Sequence, residues 1–382
     1  MSSSPWDTAV LSDLAEDWKQ SWKPAASTQE FVDHYSIPAY DNGMRPSRDR
    51  PSDIKSNKRV VVPDAVLVSR LNPMTPRIWA PTLNSFTESV CSGEMLVLRP
   101  MPGVDRGYLE YLCKSPHVSR AMLERVSGTT GSHQRVSPRD VLALTVPRPP
   151  LKDQRAIAEV LGSLDDRIGW AQAARLKVLD CARAVWASAS TAESRDVTVG
   201  DIAMFHNRRR IPLSAREREN RPGPYPYYGA TGQFGSVDDY LFDGNFVLVG
   251  EDGSVVNPDG TPVVQYVSNR FWVNNHAHVL TSEELTPEEL FLALQRVNVS
   301  GYVTGAAQPK LSMGRLKQVP TFLPLRESIE QARPTISALF ESFRELAGEV
   351  EVLEATRDAL LPKLVSGELR IEDPQRLLDQ VA

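Results

Sequence analysis

Long apolar runs are missing from this sequence. No stretch reaches the roughly 20 apolar residues that a membrane-spanning helix needs. The first ten residues, MSSSPWDTAV, lack the basic start and apolar centre of a signal peptide. We therefore expect a cytoplasmic protein that does not contact a membrane.

Cysteine is also scarce. The three cysteines, Cys91, Cys113 and Cys181, are odd in number, far apart and without C-x-x-C spacing. This pattern supports neither a disulfide framework nor a zinc site. We expect all three to be reduced core residues.

The motifs of several catalytic classes are absent. A methyltransferase needs a [DNS]-P-P-[YFW] loop, and neither NPM (residues 72–74) nor RPPL (residues 148–151) fits it. The G-x-x-x-x-G-K-[ST] phosphate loop of a translocase is also missing. The two Pro-Asp pairs, at residues 63–64 and 258–259, lack the acidic-x-Lys element of a metal-dependent nuclease. The sequence therefore predicts no catalytic site.

A metal site is not supported either. His276 and His278 have the spacing of metal ligands on a strand, but no third ligand is evident. We interpret them as polar residues on one strand face, and EDGS (residues 251–254) as a turn at a strand end.

The composition, 41% hydrophobic and 24% charged, is that of a folded globular protein. With 382 residues, the chain is expected to form more than one domain. The net charge of −5 arises in residues 326–382, so it says little about local surfaces elsewhere. Residues 44–79 are rich in Lys and Arg, and residues 204–228 contain six arginines. Two separate basic segments therefore need an explanation.

The chain also contains an internal repeat, in which motifs recur about 175 to 190 residues later. YSIPAY (35–40) is echoed by YPYYGA (225–230), DAVLVS (64–69) by NFVLVG (245–250), and LVL (96–98) by HVL (278–280). Helical segments follow at 108–125 and 287–297, the second with an N-cap at Thr286 and a capping-box Glu289. QRVS (134–137) then corresponds to QPKLS (308–312), and each copy ends in a proline cluster. The order of elements is the same in both copies.

A long helix is predicted after each proline cluster. The second helix has an apolar stripe with alternating spacings of three and four, broken where Arg357 takes a seam position, and the first has a weaker stripe. Each helix would be about 55 Å long. Two such helices can pair antiparallel as a coiled coil, and the alternative is that both are core helices of one large α/β domain. Pro334 is expected to interrupt the second helix early.

We predict an α+β fold with a pseudo-two-fold internal repeat, in which two long helices separate two similar lobes. Lobe one comprises residues 1–148 and lobe two residues 194–324. The helical segments are 149–193 and 325–370, and residues 371–382 form a tail.

The segment P-P-L-x-x-Q-x-x-I-x-x-x-L-x-x-L-D-x-x-I (149–168) resembles the central conserved region of the specificity subunits of type I restriction-modification systems. LVSGELRI (364–371) resembles the end of that family's second conserved helix. YGATGQ (228–233), and VLVG (247–250) with Asp252 and Gly253, resemble its target recognition domains. The second copy departs from the pattern, because SIE (328–330) replaces DQR (153–155) and the glutamine is lost.

The resemblance implies a non-catalytic subunit whose lobes each read one half of a split, asymmetric site in double-stranded DNA. It implies that two modification subunits dock on the helices, within a complex that includes restriction or translocase subunits. S-adenosylmethionine and ATP would be bound by those partners, and this chain would bind no cofactor or metal. The helical residues expected to take part in docking are Gln154, Ile157, Leu161, Leu164, Ile168, Ile336, Leu339, Phe343 and Leu346.

The candidate DNA-binding residues combine basic and polar side chains near strand ends with tyrosines that suit sugar or base contact. In lobe one they are Arg45, Arg48, Arg50, Lys55, Lys58 and Arg59, expected in a loop after Tyr40, with Arg70, Asn72, Arg77, Gln134 and Arg135. In lobe two they are Asn207, Arg208, Arg209, Arg210, Arg216, Tyr225, Tyr227, Tyr228, Thr231, Gln233, Glu251, Gln308 and Lys310. Phosphate contact is favoured for Gln134, Arg135, Gln308 and Lys310.

Three other interpretations stay open at this stage. The basic segments could be solvated faces without a ligand. The chain could be a helical scaffold that joins two protein-binding lobes and does not touch DNA. It could also be a self-contained restriction enzyme, which the missing motifs argue against.

Overall fold

The computed structural model describes residues 6–126, 134–191, 193–305 and 308–381. The chain divides into two compact units, of which unit one comprises Met1–Gly169 with Glu351–Ala382 and unit two comprises Trp170–Val350. Each unit therefore contains one lobe and part of each long helix. Among the described residues, no helix is long and apolar enough to cross a membrane.

Lobe one is built mainly from short strands. Its elements, in chain order, are β1 (Thr8–Val10), α1 (Leu11–Leu14), β2 (Ala15–Asp17), β3 (Ser21–Trp22), β4 (Val32–Tyr35), α2 (Ile37–Asp41), β5 (Ser47–Asp49), β6 (Lys58–Val60), β7 (Val66–Ser69), β8 (Ile78–Trp79), β9 (Ser89–Cys91), β10 (Met95–Pro100), α3 (Arg106–Lys114), α4 (Pro116–Leu123), α5 (Pro138–Leu142) and β11 (Thr145–Pro147).

Three sheets organise this lobe. Their strand orders are β1-β11, β2-β10-β7-β8 and β3-β6-β9-β4-β5. Strand β7 is buried on both faces, which explains its uninterrupted apolar run VLVS. The strands β4 and β9 are parallel, so their carboxyl ends lie at the same edge of their sheet.

The first long helix, α6 (Leu151–Thr191), precedes the strand-rich second lobe. The elements of lobe two are β12 (Ser194–Thr198), α7 (Val199–Ile202), β13 (Met204–Phe205), α8 (Ala215–Glu219), β14 (Tyr225–Tyr228), β15 (Gln233–Val237), β16 (Phe242–Asp243), β17 (Phe246–Gly250), β18 (Val264–Val267), β19 (Arg270–Val273), β20 (Ala277–Thr281), α9 (Pro287–Leu294), α10 (Met313–Lys317) and β21 (Pro320–Pro324).

The sheets of lobe two repeat those of lobe one. Their orders are β12-β21, β13-β20-β17-β18 and β15-β14-β19-β16, and the β14–β19 pair is again parallel. In both lobes a three-residue turn joins the parallel strand to the next sheet, through residues 92–94 in lobe one and 274–276 in lobe two. The internal repeat predicted from sequence is confirmed.

The second long helix, α11 (Arg326–Ser366), has the same 41 residues as α6, and α12 (Pro374–Val381) follows it. In unit one, Ile157 and Leu161 of α6 share a core with Leu364 and Val365 of α11, while Asp165 pairs with Arg357. The residue numbers rise along one helix as they fall along the other, so the two segments are antiparallel.

The corresponding segments in unit two are antiparallel as well. Arg175 of α6 lies over the ring of Phe343 of α11, and Leu179, Ala182 and Trp186 share a core with α11 residues, among them Ile336 and Phe340. The expected coiled-coil pairing is confirmed, and it is continuous with the lobe cores. Trp186, which is 1% exposed, is a core residue that the predicted stripe did not include.

Several local expectations were wrong. The helical segment 108–125 is two helices, since Ser115 ends α3 and caps α4 ahead of Pro116. Helix α11 is continuous through Pro334, and buried neighbours such as Ile336 hold it against the core despite the missing N–H. Cys181 is exposed on α6, whereas Cys91 and Cys113 are buried.

The register of the tyrosine motifs also differs from the expected one. Tyr35 pairs with Cys91 and Tyr228 pairs with Val273, each at the end of its parallel strand pair. Tyr35 therefore corresponds to Tyr228 and not to Tyr225, because strand pairing overrides the sparse sequence similarity.

Candidate nucleic-acid interface

In lobe one, polar loops converge where β4, β7 and β9 end. The Arg70 amide donates to the Glu94 carbonyl at 2.9 Å, which joins the ends of β7 and β9. The Asn72 amide donates to the Gln134 carbonyl at 2.9 Å. Arg77 donates to both carboxylate oxygens of Asp41, at 2.7 and 2.8 Å, and so ties α2 to the same edge. We call this set of loops the strand-end edge of lobe one.

A charged cluster lies on this edge. Glu94 accepts from Arg135 at 2.9 Å and lies 3.6 Å from a terminal nitrogen of Arg70. Arg70 is mostly buried and also donates to the Gly93 carbonyl at 3.1 Å, whereas the Arg135 side chain is 51% exposed. Arg70 thus supports the loops, and Arg135 presents the accessible guanidinium.

Further basic residues border the edge. Arg45 follows α2 and is exposed, as is Lys55, and neither has a hydrogen bond or ion pair with the described residues. Lys58 begins β6 beyond the Arg59–Cys91 pairing and donates to the Ser56 hydroxyl at 3.0 Å. Lys58 thus lies at the end of β9, and Arg45 and Lys55 are accessible.

Other candidates of lobe one lie elsewhere. The expected loop after Tyr40 was wrong, because the segment contains α2, β5 and β6. Arg48 and Arg50 stack on Phe31, near the opposite end of β4. Arg59 is mostly buried, where it pairs with Asp17 and donates to the Met95 carbonyl at 2.9 Å. Arg59 therefore acts inside the lobe.

Lobe two has an equivalent strand-end edge, formed where β14, β17 and β19 end. The Glu251 amide donates to the His276 carbonyl at 2.7 Å, and the Asn274 amide donates to the Tyr228 carbonyl at 3.0 Å. Gln265 holds the loop after β14 by donating to the Gly229 carbonyl at 2.9 Å. The backbone approaches closely at Gly250, where a Cβ would lie 3.1 Å from the Ala230 carbonyl oxygen.

Four charged residues form a cluster on this second edge. Arg210 pairs with Glu251 at 2.8 Å, and Lys310 pairs with Asp252 at 2.9 Å and lies 3.7 Å from Glu251. The hydrogen bond to Asp252 raises the pKa of Lys310. Burial opposes ionisation of Asp252, but Lys310 and His276 outweigh it and lower the pKa of that carboxyl. The cluster is therefore charged on both sides at neutral pH.

His278 and Asn207 support the edge from inside. The His278 ring is fully buried. Its Nδ1 lies 2.8 Å from the side-chain nitrogen of Asn207, and its Nε2 lies 2.8 Å from the Leu311 carbonyl oxygen. The Asn207 side-chain oxygen accepts from the Val279 amide at 3.1 Å. Burial lowers the pKa of His278, so the ring is neutral. Both side chains are used within the lobe.

The remaining candidates of lobe two differ in accessibility. Thr231 and Gln308 are exposed on loops of the edge, and Gln233 is exposed at the start of β15. Arg208 and Arg216 are exposed without a hydrogen bond or ion pair to the described residues, and Arg209 packs on Phe242. Tyr225 and Tyr228 are half-buried. Tyr227 is buried and bonded to Leu213, so it is a core residue.

The docking candidates on the helices are mostly buried within the chain. Gln154 is 2% exposed, accepts from the Asp105 amide and donates to the Pro149 carbonyl, both at 2.9 Å. Ile157, Leu161, Leu164, Ile168 and Ile336 are buried, and Leu339, Phe343 and Leu346 are half-buried. In the second copy Ile329 fills the position of Gln154 and is also buried, which explains the lost glutamine.

Sequence reasoning named Glu251 as a candidate and Asp252 as part of a family-like motif, but it missed Asp41 and Glu94. These two carboxylates pair with the predicted residues Arg77 and Arg135, and their only signal is a position next to a strand or helix end. No group of three or more His, Cys, Asp or Glu residues could hold a metal ion in the part of the chain that the structure describes. His276 is not on a strand but in the turn before β20, 3.5 Å from Asp252.

Comparison with known families gives the same identification as the motifs. Residues 192–339 match the model of the type I restriction modification DNA specificity domain. The chain is 33% identical over 125 residues to a putative type I restriction enzyme specificity subunit, S.HindORF215P, of Haemophilus influenzae. It is 27% identical over 160 residues to the EcoprrI specificity subunit of Escherichia coli.

Residues 192–339 of this chain therefore belong to the type I restriction modification DNA specificity domain family. The matched parts cover 32% and 41% of this chain, and only 31% and 38% of the length of the two curated relatives. The similarity in fold extends over more of the chain than the similarity in sequence. The crystal structure of the S subunit from M. genitalium aligns with a TM-score of 0.55 at 15% identity, over 96% of this chain and 97% of the other.

Proposed function

We propose that this chain is a non-catalytic DNA-recognition subunit, in which each lobe reads one half of a bipartite, asymmetric site in double-stranded DNA. The observation that supports this proposal is the duplicated strand-end edge, with exposed donors on both copies. Base-edge contacts supply sequence choice, and such contacts need polar side chains on a rigid support. The hydrogen bonds between strand ends provide that support in both lobes.

We further propose that α6 and α11 are the docking site for two modification subunits, in a complex that includes restriction or translocase subunits. S-adenosylmethionine and ATP would then be bound by those partners. The buried seam residues keep the helices paired, so contacts would come from exposed residues such as Trp170 and Leu176 of α6, which are 80% and 65% exposed.

One observation favours a second candidate, a scaffold whose lobes bind proteins and not DNA. Arg59, Arg70, Arg77 and Arg210 are all paired with carboxylates of the chain itself, so their charge is not available to phosphates. A scaffold would use these pairs only to hold loops.

The two candidates differ in their response to salt. We expect the full chain, mixed with modification subunits and duplex DNA, to bind much more weakly at 200 mM than at 50 mM salt, because cation contacts with phosphates release counterions. The scaffold predicts assembly with the subunits but no salt-dependent binding of DNA. In cells, methylated positions should define a two-part motif, and exchange of lobe one should change only one part.

A further inference from the structure

The two strand-end edges share one backbone arrangement. Leu71 and Arg135 form an isolated β-bridge in lobe one, and Asp252 and Lys310 form its counterpart in lobe two. The Val136 amide donates to the Arg70 carbonyl at 3.1 Å, and the Leu311 amide donates to the Glu251 carbonyl at 2.8 Å. Together with the Arg70–Glu94 and Glu251–His276 backbone bonds, these contacts place four positions in register. Arg70, Leu71, Glu94 and Arg135 correspond to Glu251, Asp252, His276 and Lys310.

The side chains at these positions differ in charge. In lobe one the β7 end contributes the cation Arg70 and the β9–β10 turn contributes the anion Glu94. In lobe two the β17 end contributes the anions Glu251 and Asp252, and the turn contributes His276. Only the bridge position is basic in both lobes, with Arg135 and Lys310 about half exposed, at 51% and 48%.

The two lobes thus have the same backbone arrangement at the edge but different side chains at the equivalent positions. Two domains that recognise different base sequences require this combination. The backbone fixes where a side chain meets the DNA, and the side chain decides which base edge it can bond. A cluster with a purely structural role would be expected to keep its charges in both copies. The exchange therefore falls at positions where the two lobes would need to differ.

The ion pairs also bear on what Arg135 and Lys310 can bind. Glu94 and Asp252 offset most of their charge, which weakens attraction to a phosphate. The same contacts restrict the side chains to one orientation, which a hydrogen bond to a particular base edge requires. These features argue against the phosphate contact favoured from the sequence.

We propose that Arg135 and Lys310, each oriented by its carboxylate, are specificity-determining residues of the two lobes. The inference rests on the proposed function. Arg135 would present a guanidinium fork that matches O6 and N7 of guanine. Lys310 and Asp252 would present one donor beside one acceptor, an arrangement in which Asp252 can accept from the amino group of cytosine. The two lobes would thus prefer different base pairs at the equivalent position.

The test maps methylated sites in cells that carry the full chain with its modification subunits. The variants are R135A, R135K and K310A. The matched controls are R125A, just after α4 in lobe one, and R296A, after α9 in lobe two, because both arginines are exposed and neither takes part in the contacts that define the edges. Thermal unfolding of each purified variant checks that the lobes stay folded.

We expect R135A to relax one position in one half-site, with about a ten-fold loss of discrimination there, and K310A to relax one position in the other half. R135K should relax the same position as R135A, since a lysine keeps the charge but not the fork. The controls should keep the wild-type motif.

Three results would overturn the proposal while the proposed function stands. They are an unchanged motif in R135A and K310A, a uniform loss of methylation without relaxed sequence, and a full rescue by R135K, which would indicate phosphate contact. If the wild-type chain supports no sequence-specific methylation at all, the proposed function itself fails.

Discussion

At the scale of single residues, the structure separates side chains that serve the fold from those that are accessible at the edges. Arg59, Asn207 and Tyr227 have the chemistry of DNA contacts in the sequence, but each is bonded inside its lobe. Thr231, Gln233 and Gln308 are similar in polarity and remain exposed. Residue type alone cannot separate the two groups, because accessibility depends on neighbours that are distant in the sequence.

The neutral state of His278 leads to a prediction on pH. Burial lowers the pKa of this ring against opposing effects of Glu251 and Asp252, and burial with Arg209 lowers that of His206. An unfolded histidine takes up a proton near pH 6.5, whereas a folded one with a lowered pKa does so only at lower pH. The stability that His278 contributes is therefore present above pH 6.5 and lost as the pH falls below it.

We expect the melting temperature of lobe two to fall between pH 7.5 and pH 5.5. Each unit of pKa difference corresponds to about 1.4 kcal/mol. The H278Q variant should show a smaller fall over the same range, because only His206 still contributes in the same direction. Equal slopes for the variant and the wild type would contradict this account of His278.

At the scale of elements, the paired helices α6 and α11 have charged residues in unit one where unit two has apolar residues at the equivalent positions. In unit one, Asp165 accepts from Arg357 at 2.9 Å and from the Tyr111 hydroxyl at 2.8 Å. Burial opposes ionisation of Asp165, but Lys114 and Arg357 outweigh it and lower the pKa of the carboxyl. Since both helices have 41 residues, Asp165 and Arg357 correspond to Phe340 and Ala182, which are both 1% exposed in unit two.

This exchange predicts the result of a double substitution. We expect D165A to destabilise unit one by about 1–3 kcal/mol, because Arg357 and Tyr111 lose a partner in a half-buried place. The combination D165F/R357A copies the chemistry of the other unit and should recover much of the loss. Denaturant unfolding of D165F, R357A and the double variant measures the coupling between the two positions. If the changes in unfolding free energy were strictly additive, residues 165 and 357 would not be coupled energetically.

At the scale of the whole molecule, the compact units do not follow the order of the chain. The carboxyl-terminal residues Leu369, Ile371, Leu377 and Leu378 pack against the core of unit one, and Arg370 lies over the ring of Trp6. The two ends of the described chain thus complete one unit. The core of unit two contains only residues from the middle of the chain.

Removal of the carboxyl-terminal residues should therefore destabilise lobe one, although lobe two is closer to them in sequence. We expect a chain that ends at Gly367 to lose hydrogen-exchange protection in β7 and β10 of lobe one, because apolar contacts of its core are removed. Strands β17 and β20 of lobe two should keep wild-type protection and serve as the internal control. Loss of protection confined to lobe two would contradict the assignment of the chain end to unit one.

Sequence alone determined the duplicated plan of this protein. The repeat order, the apolar runs of β7 and β17, the capped start of α9 and the two stripes of α6 and α11 are local patterns, and local backbone preferences and periodicity specify them. The family resemblance followed from motifs of the same kind.

Only the tertiary structure decided which polar residues meet. The carboxylates Glu94 and Asp252 join their cations through strand-end contacts across tens of residues, and Tyr35 aligns with Tyr228 through the pairing of parallel strands. Such contacts depend on how sheets and turns pack, which no spacing in the sequence encodes. Each candidate site therefore lies where an isolated β-bridge joins two loops that are distant in the sequence.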